Sequence, residues 1–245
     1  AEFGYDGRYR AVFPLKVNPR RPVVDSLIKA GRPDAFGLEV GSKSELAIAL
    51  SQKLPAGSWI CINGFKDAQV VELATVASGE DPTVVLVVER LQEIPLVIAA
   101  ARKHKESPLL GLRCRLDNRG SGRWEASGGE TSKFGLSSSG LLCAIEMLRD
   151  AGLLDRLRVL HYHIGSQITS VRRIKDAVEE SARIYARLRS RGIPLQYLNV
   201  GGGLGIDYDG SKTPSDSSVN YSMQEFANNV VYTIQEVCAE EGVPL

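Results

Sequence analysis

Along the chain, short runs of apolar and β-branched residues alternate with longer stretches in which apolar residues return every third or fourth position. The first pattern is that of strands buried on both faces, the second that of helices with one buried stripe. Seven strands are predicted, over Ala11–Val17, Phe36–Val40, Trp59–Asn63, Val84–Glu89, Leu109–Leu116, Val159–Gly165 and Tyr197–Gly201. Seven helices are predicted over Val23–Ala30, Ser44–Gln52, Ala68–Ala77, Glu93–His104, Gly140–Ala151, Ile174–Ser190 and Met223–Glu241. Ile174, Val178, Ala182, Tyr185 and Leu188 illustrate the stripe. One helix follows almost every strand, which implies parallel strands joined by right-handed crossovers, in either an open doubly wound sheet or a (β/α)₈ barrel. The barrel is preferred, because it runs at about 250 residues and an eighth strand would begin where this sequence stops. The expected fold is therefore α/β, a TIM (β/α)₈ barrel truncated before strand eight. No linker or composition break divides residues 1–245, so one domain is expected.

Composition narrows the function. Hydrophobic residues are 43% and charged residues 24% of the chain, enough for a sizeable core and incompatible with disorder. Thirty Lys and Arg against 29 Asp and Glu leave a net charge of +1, so no global field draws the chain to nucleic acid or an anionic membrane. No apolar stretch approaches the roughly 18 to 20 residues of a membrane span. Cys61, Cys114, Cys143 and Cys238 are widely spaced with no CxxC pair, which argues against a disulfide scaffold or zinc knuckle and fits reduced thiols in a cytoplasm. The first residues carry neither a signal-peptide pattern nor a methionine, and the last read as a helix end, a Gly stop and the start of a next element. Missing pieces are expected at both ends.

Candidate chemistry gathers at the strand ends. Gly201, Gly202 and Gly203, in VGGGLG after the seventh strand, can turn backbone N–H groups toward a phosphate, and barrels hold phosphates after strands seven and eight; a plain tight turn is the bland alternative. Lys16 ends the first strand among apolar neighbours that could desolvate it and free its amine for a Schiff base, whereas an exposed strand-end lysine is the commoner case. His161 and His163 stand two apart and so share a strand face, either as satisfied imidazoles or as an HxH metal pair for which only His104 remains to help. Glu39 ends the second strand. Glu45 begins the next helix, where the dipole alone favours a carboxylate. Arg113 and Arg115 share a face of the fifth strand, and an inward arginine there needs an anionic or aromatic partner. Long βα loops over Asp117–Leu136 and Gly202–Tyr221 are candidates for substrate contact.

In series, the segments FPLKVN (13–18), GLEVGSK (37–43), NGFKD (63–67), SGGETSKFGL (127–136), HYHIGSQ (161–167) and GGGLGIDYDG (201–210) resemble the biosynthetic arginine decarboxylases, within the fold-type III pyridoxal-phosphate decarboxylases. The resemblance spans nearly the whole chain. It implies pyridoxal 5'-phosphate bound as a Schiff base on Lys16, His163 stacked on its ring, and Gly201, Gly202, Gly203 and Ser166 around its phosphate. It places Glu39, Glu45 and Arg113 in the cofactor pocket. The family's substrate-binding stretch corresponds to Leu198, Asn199, Val200, Gly201, Gly202, Gly203, Leu204, Gly205, Ile206, Asp207 and Tyr208. Asp207 or Asp216 is a further candidate to hold a guanidinium, since a planar cation suits a bidentate carboxylate. The implied reaction is decarboxylation of L-arginine to agmatine in polyamine (putrescine and spermidine) biosynthesis, in the cytoplasm, with no nucleic-acid or membrane partner. The resemblance also implies Mg²⁺, for which the sequence displays no ligand set, and a homo-oligomer in the full-length enzyme.

Departures qualify this. Asn199 stands where the family often has Asp. The family's strand-eight segment, with a Glu facing the pyridine nitrogen and a Gly-Arg pair on the phosphate, does not follow Leu245, nor does a C-terminal β-domain with its Cys and Asp across a dimer interface. The chain is therefore expected to be a fragment, inactive or feebly active alone and prone to associate through open edges. The alternatives are a diaminopimelate or ornithine decarboxylase, an alanine-racemase-like enzyme, a silent regulatory homologue, and a metal-dependent barrel hydrolase.

Overall fold

The computed structural model describes residues 3–5, 7–79, 81–116 and 134–244. Among them, seven strands and seven α-helices alternate: β1 (Val12–Pro14), α1 (Arg21–Ala30), β2 (Gly37–Val40), α2 (Lys43–Leu50), β3 (Trp59–Ile62), α3 (Ala68–Val76), β4 (Thr83–Val88), α4 (Glu93–His104), β5 (Leu109–Arg113), α5 (Ser138–Asp150), β6 (Leu157–His161), α6 (Val171–Ser190), β7 (Tyr197–Asn199) and α7 (Met223–Glu240). The strands follow one another in the sheet in sequence order, β1 to β7, with no reversal. A doubly wound sheet changes direction at a switch point; an unbroken order of parallel strands belongs to the (β/α)₈ class. None of the helices among the described residues is long and apolar enough to cross a membrane. Most of the SGGETSKFGL segment and of the long loop after β5 lies outside the described residues.

The helices start and stop within three residues of the expected positions, but several strands end earlier than the apolar pattern implies. β1 stops at Pro14, β6 at His161 and β7 at Asn199, because the next residues leave the ladder: Val17 N–H closes a turn on the Pro14 carbonyl at 3.1 Å, and Gly201 takes a φ of +69°. Lys16, His163 and Gly201, placed on strands by their apolar surroundings, sit in the turns just beyond, Gly201 together with Gly202 and Gly203, which were expected to follow the strand.

The chain divides into two compact units. The first comprises Arg8–Leu112 and Ser139–Val159. Its strands pair in parallel, with Pro14 opposite Glu39, Glu39 opposite Cys61, and Cys61 opposite Val85. Leu38, Ile60, Leu86 and Leu110 are fully buried along these strands, each worth about 1.5–3 kcal/mol of burial. Five of the six residues of β4 are buried, which is why its sequence, TVVLVV, shows no alternation.

The second unit comprises Ala1–Gly7, Arg113–Ser138 and Leu160–Leu245. Here α6 and α7 pack side by side: α6 buries Ile174, Ala177, Val178, Ala182 and Tyr185, and α7 buries Val237 and Cys238. Arg183 meets Glu240 at 3.0 Å across the helix pair. A capping box of Ser222 and Glu225 starts α7, satisfying two N–H groups the helix leaves open.

Candidate functional site

In the first unit the candidates stand at the ends of β1 and β2. Leu15 is fully buried and its N–H donates to the Glu39 carbonyl at 3.0 Å, so the turn after β1 is tied to β2. Lys16 follows it and is exposed, beside an exposed Val17. The expected desolvation of Lys16 is therefore corrected: the chain leaves the ladder after Pro14, and the turn carries both side chains to water. Glu39 is half-buried on β2. Glu45, half-buried in the first turn of α2, accepts the Gly41 N–H at 2.7 Å, while Ser42 Oγ accepts the Glu45 N–H at 3.3 Å. Its carboxylate thus shapes the turn after β2 besides meeting the helix dipole.

Sequence reasoning gave no role to three charged residues buried in this unit. Lys66, Glu89 and Glu93 are 1–3% exposed. Lys66 Nζ lies 3.4 Å from Glu93 Oε2. Burial raises the affinity of the Glu93 carboxyl for its proton, and the Lys66 ammonium opposes that. Lys66 was legible only as part of the NGFKD motif, because no periodicity distinguishes a buried lysine from a surface one.

In the second unit the loops after β6 and β7 are stitched together. Tyr162 N–H donates to the Asn199 carbonyl at 3.1 Å, and Ile168 N–H donates to the Gly203 carbonyl at 3.0 Å. The Gln167 amide exchanges a reciprocal pair of bonds with the Ile206 backbone at 2.8 and 3.0 Å. Gly205 N–H donates to the Tyr221 hydroxyl, which itself donates to the Ile168 carbonyl at 2.6 Å. Asn199 Oδ1 accepts the Gly201 N–H at 2.9 Å, a bond that an aspartate there would also accept. Val200, Gly202 and Leu204 line a small apolar cleft with Tyr162, Ile168 and Phe226.

The two histidines part company in this arrangement. His161, the last residue of β6, is 3% exposed and its Nδ1 stands 3.2 Å from the Asn199 carbonyl, which can only accept, so Nδ1 carries the proton. Burial, with lesser contributions from Arg113 and His163, holds its pKa down to about 3. His163 lies past the strand, half-buried, and its Nδ1 accepts the Gly202 N–H at 3.4 Å. The shared strand face expected for the pair is corrected, since the ladder ends between them. Among the described residues no group of three or more His, Cys, Asp or Glu side chains is gathered for a metal.

The remaining candidates are all placed in this unit. Arg113 is half-buried with its guanidinium 5.5 Å from the centre of the Phe134 ring, the aromatic partner expected of an arginine at a strand end. Arg115 is half-buried and its N–H pairs with the Leu136 carbonyl at 2.9 Å. Ser166 is exposed, and so are Gly202, Ile206 and Tyr208; Leu198, Asn199, Val200, Gly201, Gly203, Leu204 and Gly205 are half-buried. Asp207 accepts the Ser218 hydroxyl at 2.6 Å, which anchors the loop after β7, while Asp216 is exposed. The glycine turn is built too tightly for side chains. A Cβ on Gly203 would lie 1.8 Å from the Gly165 carbonyl oxygen, and one on Gly201 would lie 2.5 Å from that of Tyr162, whereas nothing stands within 4 Å of the space above Gly202.

Comparison with known proteins adds the following. Residues 2–244 match the family described as pyridoxal-dependent decarboxylase, pyridoxal binding domain. Over 245 residues the chain is 46% identical to a biosynthetic arginine decarboxylase of Nostoc sp., covering 100% of this chain and 36% of that protein. Over 243 residues it is 48% identical to one from Deinococcus radiodurans, covering 99% and 37%. Among solved structures, the biosynthetic arginine decarboxylase of Campylobacter jejuni superposes with a TM-score of 0.88 at 34% identity, over 99% of this chain and 39% of that one. The chain thus spans little more than a third of the length of the curated relatives it matches.

Proposed function

This chain belongs to the pyridoxal-dependent decarboxylases, matching their pyridoxal-binding domain over residues 2–244, and from that premise we propose that it serves the decarboxylation of L-arginine to agmatine and carbon dioxide, a step of polyamine biosynthesis. The observation that carries the reading is the glycine turn after β7. It is open above Gly202, closed to any Cβ at Gly201 and Gly203, and braced from behind by Asn199, which fits the oxygens of a phosphate.

Each residue then has a part. Lys16, exposed on its turn, supplies the ε-amine that holds the cofactor covalently. The backbone of Gly201, Gly202 and Gly203, with the Ser166 hydroxyl, takes the phosphate. His163 serves the pyridine ring, its orientation set by the Gly202 N–H at Nδ1, and Glu39, Glu45 and Arg113 supply charge around the cofactor. When bound, pyridoxal 5'-phosphate supplies an electron sink for the pair released as carbon dioxide leaves. The protein's own contribution is to bind the amino acid along Leu198–Tyr208 and orient its α-carboxylate. Asp216, exposed on the loop after β7, is better placed to meet a guanidinium than Asp207, one of whose oxygens is engaged by Ser218. The name borne by the relatives supports arginine over ornithine or diaminopimelate. A cytoplasmic site of action and a homo-oligomeric full-length enzyme belong to the same reading. Magnesium is assigned no step, because the described residues offer no cluster to hold it.

The test is borohydride reduction of the chain with pyridoxal phosphate, followed by peptide mapping. A pyridoxyl group on Lys16, absent from Lys16→Ala, is the expected result. Label spread over surface lysines, unchanged in the variant, would sink the assignment. Titration of the labelled-competent protein with arginine, ornithine and diaminopimelate, followed by cofactor absorbance, then separates the substrates; arginine alone should perturb the spectrum at the lowest concentration.

A further inference from the structure

The first unit contains a buried charge group that the proposed chemistry leaves unused. Lysine is almost never fully buried unless paired, yet the Lys66 side chain is 0% exposed and that of Glu93 4% exposed, with Nζ and Oε2 3.4 Å apart. Lys66 also donates to the Gly64 carbonyl. The same Glu93 oxygen accepts the Glu89 N–H at 2.8 Å, and Glu89 Oε1 accepts the Gly64 N–H at 2.8 Å. One ammonium and one carboxylate therefore grip the two polar ends of a single glycine, and a second carboxylate ties them to each other.

Gly64 is not an arbitrary point in the turn after β3. Its φ is +76°, and a Cβ there would come within 2.9 Å of the Gly41 carbonyl oxygen, so the two turns are in close backbone contact. Gly41 is the residue whose N–H donates to Glu45 at 2.7 Å. The chain of contacts thus runs from Lys66 through Gly64 and Gly41 to Glu45, across the turns after β3 and β2. Stability alone does not account for this expenditure of buried charge. Desolvating such a pair offsets its attraction, and Glu93 Oε1 is buried without a hydrogen-bond partner among the described residues, a further cost.

We propose that Lys66 is a positioning residue: with Glu89 and Glu93 it clasps Gly64, seats the turn after β3 against Gly41, and so fixes the loop that presents Glu45. The consequence for cofactor affinity rests on the reading of Glu45 as a pocket residue; the seating of the two glycines does not. A flexible four-carbon stem ending in a compact charge with three donors suits a role in which several acceptors must be met at once in a closed space.

The experiment compares wild type, Lys66→Met, and the double variant Lys66→Met with Glu93→Gln, which removes both charges of the pair while keeping an acceptor for the Glu89 N–H. Three readouts are taken: thermal midpoint, amide hydrogen exchange at Gly41 and Gly64, and affinity for pyridoxal phosphate. The single variant should melt earlier. The double variant should recover most of the midpoint, because neither member of the ion pair is left buried without the other, yet both amides should still exchange about tenfold faster than in wild type, and the cofactor should bind about tenfold more weakly. Recovery of amide protection together with the midpoint would overturn the proposal and leave Lys66 as a charge-balancing strut, as would unchanged exchange at Gly41 in both variants. Should wild type itself fail to bind the cofactor, the cofactor reading falls while the exchange pattern still decides the role of Lys66.

Discussion

A methyl group at Gly203 would have to displace a backbone carbonyl, since its Cβ would stand 1.8 Å from the Gly165 oxygen at a φ of +88°. Backbone cannot yield as the tip of a side chain can, so Gly203→Ala should cost about 2 kcal/mol or more of folding stability. Gly202, with open space above it and no positive φ, gives the contrast: Gly202→Ala should stay within about 0.5 kcal/mol of wild type in urea denaturation but weaken pyridoxal phosphate binding by occupying the space above the turn. Equal stability loss in both variants would contradict this division of labour. The glycine run was legible because its meaning lies in local backbone freedom. The difference between His161 and His163 was not, for it depends on where the ladder ends and on which carbonyl each ring meets. Lys66 was hidden for a related reason: its partner Glu93 opens α4, and Glu89, which holds Gly64 beside it, follows β4, both more than twenty residues along the chain.

Helices were read more accurately than strands because a repeat of 3.6 residues accumulates over several turns, while a run such as AVFPLKV continues to look extended although β1 ends at Pro14 and the last bond to β2 is made by the Leu15 N–H. Caps sharpen the helix starts. Asp67, inside the NGFKD motif, takes the N-cap of α3, and its Oδ1 accepts the Val70 N–H at 2.8 Å. Part of that motif's invitation to a functional reading is thus architectural. Asp67→Ala should lower stability by about 1 kcal/mol, and Asp67→Asn, which keeps the acceptor, by only a few tenths. Because Lys66 is the adjacent residue, the same pair of variants also tells capping from clasping: Asp67→Asn should leave amide exchange at Gly64 unchanged. A large loss on Asp67→Asn would show that its charge, and not the cap, matters.

At the scale of the whole chain, the order β1 to β7 was legible from the alternation of strand and helix, since crossovers of one hand leave few arrangements for seven parallel strands. Its response to acid was not, because it depends on burial that no pattern reveals. His161 titrates near the ordinary 6.5 when unfolded but near 3 when folded, first because it is buried and then because Arg113 and His163 stand close. Between those values the unfolded chain binds a proton that the folded chain refuses. Stability contributed by a neutral His161 is therefore fully present above about pH 6.5 and is withdrawn as the pH falls toward 3. His161→Gln carries no titrating group and retains an amide N–H for the Asn199 carbonyl. Its stability at neutral pH should be lower, through imperfect packing, while its decline between pH 6.5 and 4 should be shallower than that of wild type, with the two curves converging in acid. Denaturant titrations at half-unit pH intervals test this. Parallel curves would mean that carboxylates alone govern the acid limb and that His161 is reached by water in the folded chain.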